Sequence, residues 1–309
     1  MSTRPGNDLT GRGRSRIAGE FGRIDSKAAP ALTLEAASGL HYSLQTITSG
    51  SSSQYAQSDD TMLNIHGGFG DQSISGFSFE MWVKMNQTPA NTNGLVHFGA
   101  DATSSSTMGL DWLTAVSAVF WTFTRATVSN RSLAPVTNPS GVWHHFAGTY
   151  DESDSSGATV RLFVDGDNSQ AVNGNVATPR SWEVGVPLEV GREIYHATVG
   201  GALYPAANYH GLRVWNRQLT SGEVVTLYNG GTPLRTLTAG LLSGLRLYWK
   251  LGDSAQERQA ASYLSPLAYV AGPPPDQTVV DSSGNGFHGH LLRDGSTGDP
   301  FPTYVQDAP

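Results

Sequence analysis

The sequence predicts an all-β chain, a two-sheet antiparallel sandwich with one short helix and extended arms at its N- and C-terminal ends. Three observations carry that expectation. Apolar residues recur at every second position through the middle of the chain, the spacing of a half-buried strand. Turn-forming clusters separate those stretches, in a sequence with 36 Gly and 16 Pro among 309 residues. One segment alone carries the start and stop signals of a helix.

Residues 1–39 read as a basic N-terminal arm. Six basic residues (Arg4, Arg12, Arg14, Arg16, Arg23 and Lys27) face three acidic ones (Asp8, Glu20 and Asp25) in the first thirty positions, with few large apolar side chains and no period. No apolar stretch of roughly 7–15 residues follows the arginines, so the segment is not read as a secretory signal. Such an arm is either a solvated tail or a strap laid along a neighbouring subunit or an anionic surface.

Residues 40–250 read as the sandwich. Phe77, Phe79, Met81, Val83 and Met85 alternate with Ser78, Glu80, Trp82 and Lys84. Val160, Leu162 and Val164 alternate with Arg161 and Phe163, and Asp165-Gly166 supplies a hairpin turn. Leu212 and Val214 alternate with Arg213 and Trp215, and Leu245, Leu247 and Trp249 alternate with Arg246 and Tyr248. Further strands are expected at 54–57, 95–99, 118–124, 142–150 and 187–191. Thr220 and Glu223 form a capping box, each side chain meeting a backbone N–H that the first helical turn leaves open, and Gly230-Gly231 mark the end of that helix. Residues 251–309 read as a tail that packs back on the sandwich and ends in an extended arm, whose prolines exclude it from a central ladder.

Composition removes several function classes. With no cysteine there are no disulfides, no thiol catalysis and no cysteine-ligated metal. The formal charge of −7 argues against nucleic acid as a partner, and no apolar run approaches the length of a membrane span. No phosphate-binding loop and no serine elbow is present.

Four pieces, in order, make the chain resemble the laminin-G-like, or concanavalin A-like, jelly-roll family. They are Gln54-Tyr55 with Met62-Leu-Asn-Ile65, read as an opening strand and its continuation; Phe77-Ser-Phe79-Glu80-Met-Trp82-Val-Lys84; Trp143-His144-His145-Phe146-Ala-Gly-Thr149-Tyr150-Asp151 with Arg161-Leu-Phe-Val-Asp165-Gly166; and Gly211-Leu-Arg-Val-Trp215-Asn216-Arg217 through Tyr228-Asn229-Gly230. The pattern is lost over 94–135, where length looks inserted. Two pieces that usually open such a domain, Tyr248-Trp249 to Asp253 and Asp281-Ser-Ser-Gly-Asn285-Gly-Phe-His288-Gly289, follow the helix here. A tail placed this way resembles laminin-G-like proteins of phage genomes.

Fold does not choose function. The related glucanases need an acid and a nucleophile on one strand with carboxyls roughly 5–5.5 Å apart, and no such E-x-D-x-E stretch occurs. Asp151, Glu152 and Asp154 read as turn formers, and Glu183, Glu189 and Glu193 as scattered charge. An enzyme is therefore not expected. His144 and His145 point to opposite faces of a strand, and His288 and His290 lack a third metal ligand. The resemblance implies calcium as the cofactor to consider, with Asp253, Asp281 and Asn285 as oxygen donors; the alternative is that Asp281 and Asn285 organise their own turn. For glycans, Trp82, Trp143 and Trp215 lie on the faces opposite their strands' apolar sides, with Arg161 and Arg213 beside them. The alternative is that an arm or a neighbouring subunit covers those rings.

Two functions follow as expectations. The first is a non-enzymatic structural protein of a virion surface, a phage decoration, cement or tail component, whose arms bind a homo-oligomer or other virion proteins. The second is a carbohydrate-binding, lectin-like module acting outside the cell. On the first, deleting residues 1–30 leaves the domain folded by circular dichroism and abolishes oligomerisation; sedimentation of the truncated chain as the wild-type assembly contradicts it.

Overall fold

The computed structural model describes residues 43–46, 53–67, 73–74, 76–88, 93–98, 107–113, 117–125, 128–151, 153, 160–168, 180–181, 186–192, 205–252, 278–294 and 302–309. All belong to one compact unit, residues 37–309; the expected N-terminal arm, 1–39, lies outside them.

The strands form two antiparallel sheets. The first runs β10 (Val160–Val164), β9 (Trp143–Asp151), β4 (Gly76–Met85), β13 (Ala207–Trp215), β1 (Ser43–Thr46) and β17 (Thr303–Val305), with β14 (Leu245–Trp249) also paired to β13. The second runs β15 (Thr278–Val279), β16 (Gly289–Asp294), β2 (Ser53–Thr61), β12 (Pro187–Val190), β5 (Asn93–Phe98), β6 (Thr107–Leu113), β7 (Ala118–Arg125) and β8 (Val128–Pro135). A small ladder joins β3 (Ser73–Ile74) to β11 (Arg180–Ser181). Three short helices complete the described elements: α1 (Met62–His66), α2 (Ser221–Tyr228) and α3 (Ala239–Leu242).

The period-two pattern decides which side chains meet between the sheets. Phe77, Phe79, Met81, Val83 and Met85 of β4 enter the core with Phe146 and Tyr150 of β9, and meet Val96, Phe98, Leu110, Trp112, Leu188 and Val190 from the second sheet. Phe79 and Phe98 lie 5.0 Å apart between ring centroids. Opposite Phe79 stands Gly148, where a Cβ would fall 2.2 Å from the ring. Glycine is required there so that the ring can lie across the neighbouring strand.

The other face of the first sheet is closed by the chain itself. Trp215, Ala147 and Phe163 form a second apolar cluster with Val224 and Leu227 of α2 and Leu241 of α3. The Trp215 indole N–H donates to the Leu241 carbonyl at 2.7 Å. The capping box is present: Glu223 N–H donates to Thr220 Oγ1, Thr220 N–H donates to Glu223 Oε2, and Arg217 fixes the same carboxylate. Those contacts hold the Glu223 carboxyl down at about 2.

Beneath α2 lies a buried polar network. Glu80 accepts from Arg213 through one oxygen and contacts His145 Nε2 at 2.7 Å through the other. Arg213 also donates to the Leu234 carbonyl and the Tyr248 hydroxyl, and its guanidinium lies 4.2 Å over the Tyr248 ring. Burial alone would push the Glu80 carboxyl up, but the Arg213 charge and the His145 contact hold it below its ordinary value. Trp82 stacks on Tyr228 at 5.8 Å and packs against His145 at 5.2 Å.

Several elements differ from expectation. Met62–Ile65, expected to continue a strand, is helix α1, because Asp60 and Thr61 hold Asn64 through its side chain and its N–H. The expected single helix is joined by α1 and α3. The stretch 94–135 supplies the meander β5–β8 that widens the second sheet. The C-terminal segment contributes β17, which lies on an edge and pairs with β1, as its prolines require. Among the described residues, no helix is long and apolar enough to cross a membrane.

Glu80→Gln leaves the Arg213 charge buried without its counter-ion, at a cost of about 3–5 kcal/mol in a urea titration at neutral pH. The ionised Glu80 contributes fully above the ordinary carboxyl value of 4.5. That contribution is lost as pH falls below it through the lower folded value. The wild-type advantage over Glu80→Gln therefore shrinks in acid; an advantage unchanged down to acid denaturation contradicts the assignment.

Candidate functional site

The outward side of the second sheet carries a row of polar groups in register. One rung crosses five strands, from His290 on β16 through Gln57 on β2, Glu189 on β12 and His97 on β5 to Gly109 on β6. Their strand neighbours Leu291, Ala56, Leu188, Val190, Val96, Phe98 and Leu110 face the core, so alternation forces this row outward.

Adjacent members bond to one another. Gln57 Nε2 donates to Glu189 Oε1 at 2.6 Å, and Arg192 lies 3.4 Å from the same oxygen with its guanidinium 4.5 Å over the Tyr55 ring. His97 Nε2 meets Asp111 Oδ1 at 2.8 Å, and His290 pairs with Asp59. The His97 ring reaches Asp111 by crossing Gly109, where a Cβ would stand 2.9 Å from Nε2. Glu189 is fully buried, and His97 and Asp111 are nearly so. Burying acids and bases costs several kcal/mol unless they are paired, and here each has a partner.

The row brings amide, imidazole, carboxylate and guanidinium groups together beside an aromatic ring. Glu189 and Asp111 share the face two strands apart, about 10 Å by strand spacing. Glu189 thus corrects the expectation of scattered charge, since it is a fully buried strand residue. Asp151 does behave as a turn former, accepting from the Ser153 N–H and hydroxyl.

The residues expected to bind glycans go elsewhere. Trp82 and Trp215 do lie opposite the core, yet they are 2% and 0% exposed because α2 and α3 cover them. Arg213 is 3% exposed and paired with Glu80. The cover is the chain's own helical segment, an outcome foreseen only as an arm or a neighbour. Arg161 is half-buried on the edge strand β10, and Trp143, also half-buried, meets the C-terminal segment at the far end of the sheet. The five residues therefore do not converge.

Of the calcium set, the two described members organise their own turn. Asp281 Oδ1 accepts from the Tyr248 and Ser283 N–H groups, and Oδ2 accepts from the Ser283 hydroxyl and the Phe287 N–H. Asn285 turns its amide donor to the Leu245 and Arg246 carbonyls. Both residues tie the tail to β14, and Asp253 lies outside the described residues. Among the described residues, no three His, Asp or Glu side chains gather as a metal cage. His144 bonds Asp165, while His288 accepts from the Asp281 N–H and His290 pairs with Asp59, so neither histidine pair converges.

The row escaped sequence reasoning because each member is a lone polar residue on a different strand. Its one local signal is the single polar position inside Val96-His97-Phe98, Leu110-Asp111-Trp112 and Leu188-Glu189-Val190.

No curated protein sequence matches the chain. Among solved structures, a protein from Bacteroides ovatus proposed to bind carbohydrate superposes with a TM-score of 0.49 at 16% identity, over 87% of this chain and 61% of that one. A heptameric SAP-like pentraxin from Limulus polyphemus gives 0.40 at 12% identity, over 61% of this chain and 82% of its own. The Trypanosoma rangeli sialidase bound to sialic acid gives 0.36 at 18% identity, over 50% and 22%. This chain thus spans under two thirds of the length of the Bacteroides protein. A sequence model matches residues 48–225, more than half of the chain, and with the two-sheet sandwich it shows that the chain belongs to the concanavalin A-like lectin/glucanases superfamily.

Proposed function

We propose that the chain is a carbohydrate-binding module whose ligand face is the outward side of the eight-stranded sheet. The observation that carries this reading is the in-register row Gln57–Glu189–His97, extended to Asp111, with Tyr55 and Arg192 alongside. Paired donors and acceptors that are already oriented suit sugar hydroxyls, because little rotamer freedom is lost on binding. Tyr55, 6% exposed under the Arg192 guanidinium, braces the row from within the sheet face. The six-stranded path of the other sheet is less suited, since its central outward groups are committed to α2.

The assembly reading, a virion surface component with exchanged arms, stands as a second proposal. It rests on the charge and composition of residues 1–30, and the oligomer and virion partners belong to it. The two readings are compatible, because an assembly protein with a glycan face is both.

Glycan binding is tested on an array of neutral and acidic oligosaccharides, followed by calorimetry on any glycan retained. His97→Ala and Glu189→Gln weaken that binding at least tenfold while Trp215→Phe does not. Gly109→Ala, which displaces the His97 ring, falls between them. An array without hits, or hits untouched by all three row variants, contradicts the proposal.

A further inference from the structure

One rung at the far end of the first sheet converges on a single carboxylate. Lys84 on β4 stands directly between Trp143 on β9 and Asn208 on β13, and all three point away from the core. Each donates to Asp307, in the segment that follows β17. Lys84 Nζ and Asn208 Nδ2 meet Oδ2, the latter at 3.0 Å, and Trp143 Nε1 meets Oδ1 at 3.3 Å. The Lys84 ammonium also lies 5.6 Å from the Trp143 ring centre.

Asn208 is oriented by contacts other than the carboxylate. Asn208 is 1% exposed, and its carbonyl oxygen accepts from Gln45 Nε2 at 3.2 Å and Asn86 Nδ2 at 3.1 Å. Its amide can therefore present only N–H groups to the clamp. A cation, an indole N–H and a locked amide on three adjacent strands make a carboxylate receptor beside an aromatic surface. The occupant is held lightly: Asp307 keeps 37% of its side chain in solvent, and the strand that delivers it pairs through three residues.

We propose that Lys84, Trp143 and Asn208 form a carboxylate subsite for acidic sugars, and that Asp307 is a tethered competitor that holds it closed. The proposal rests on the carbohydrate-binding reading for its ligand class, but it uses the opposite sheet. A tethered ligand acts at about millimolar effective concentration. Acidic sugars weaker than that are masked in the full chain, and removal of the tether unmasks them.

The test compares the full chain with one ending at Gln306, which retains β17, and with Asp307→Asn. Oligogalacturonate and its methyl ester are titrated into each by calorimetry. The shortened chain and Asp307→Asn bind the acid at least tenfold more tightly than the full chain, leave the ester unaffected, and lose the gain when Lys84→Met is added. Equal binding by full and shortened chains, equal affinity for acid and ester, or a gain that survives Lys84→Met overturns the proposal. His97→Ala, read in parallel, separates the two faces. Acid binding lost with His97 but not with Lys84 refutes the subsite and leaves the eight-stranded face standing, whereas binding lost with Lys84 alone supports the subsite whatever the other face does.

Discussion

Every strand in a sandwich has two faces, and the core can take only one. What the chain does with the second face of each sheet governs the rest of this structure. On the first sheet that face is closed from within. Trp215, Phe163 and Ala147 receive α2 and α3, and the Glu80–Arg213 pair is sealed below them. On the second sheet the central face carries a hydrogen-bonded row of acids, bases and amides. The two solutions have different physical signatures. The first joins an apolar cluster to a neutralised charge pair, and the second spreads polar groups over five strands with no apolar lid among the described residues.

The buried pair under α2 illustrates why a charged residue on a strand is poor evidence for a binding site. Arg213 beside Trp215 has the composition of a sugar platform, yet its two terminal nitrogens are taken by Glu80, the Leu234 carbonyl and the Tyr248 hydroxyl. Glu189 shows the converse. In sequence it is one acid near a proline; in the fold it lies between Gln57 and His97 at the centre of the wide sheet.

Local alternation made the sandwich legible. Phe77 to Met85 declares its two faces without any tertiary information, and Thr220 with Glu223 declares the start of α2. The resemblance added strand order across residues 50–231. Helix α1 was not legible, because Met62–Ile65 has no helical period and depends on Asp60 and Thr61 side chains meeting Asn64. Nor was the fate of the outward tryptophans, since period two says which face a ring is on and nothing about what covers it. The polar row was the hardest to see. Its members are 14 and 132 residues apart along the chain at the His97–Asp111 and Gln57–Glu189 contacts. Only strand order brings them together.

The central claim is that the eight-stranded sheet presents the main ligand face while the part of its partner's outer side that lies under α2 and α3 is structural. Ring resonances of the histidines report on both, since His97 and His290 lie in the row and His145 lies under α2. In heteronuclear NMR with a glycan retained by the array, the account predicts that His97 and His290 shift progressively with ligand while His145 stays fixed. Shifts at His145 with His97 and His290 unmoved would contradict it.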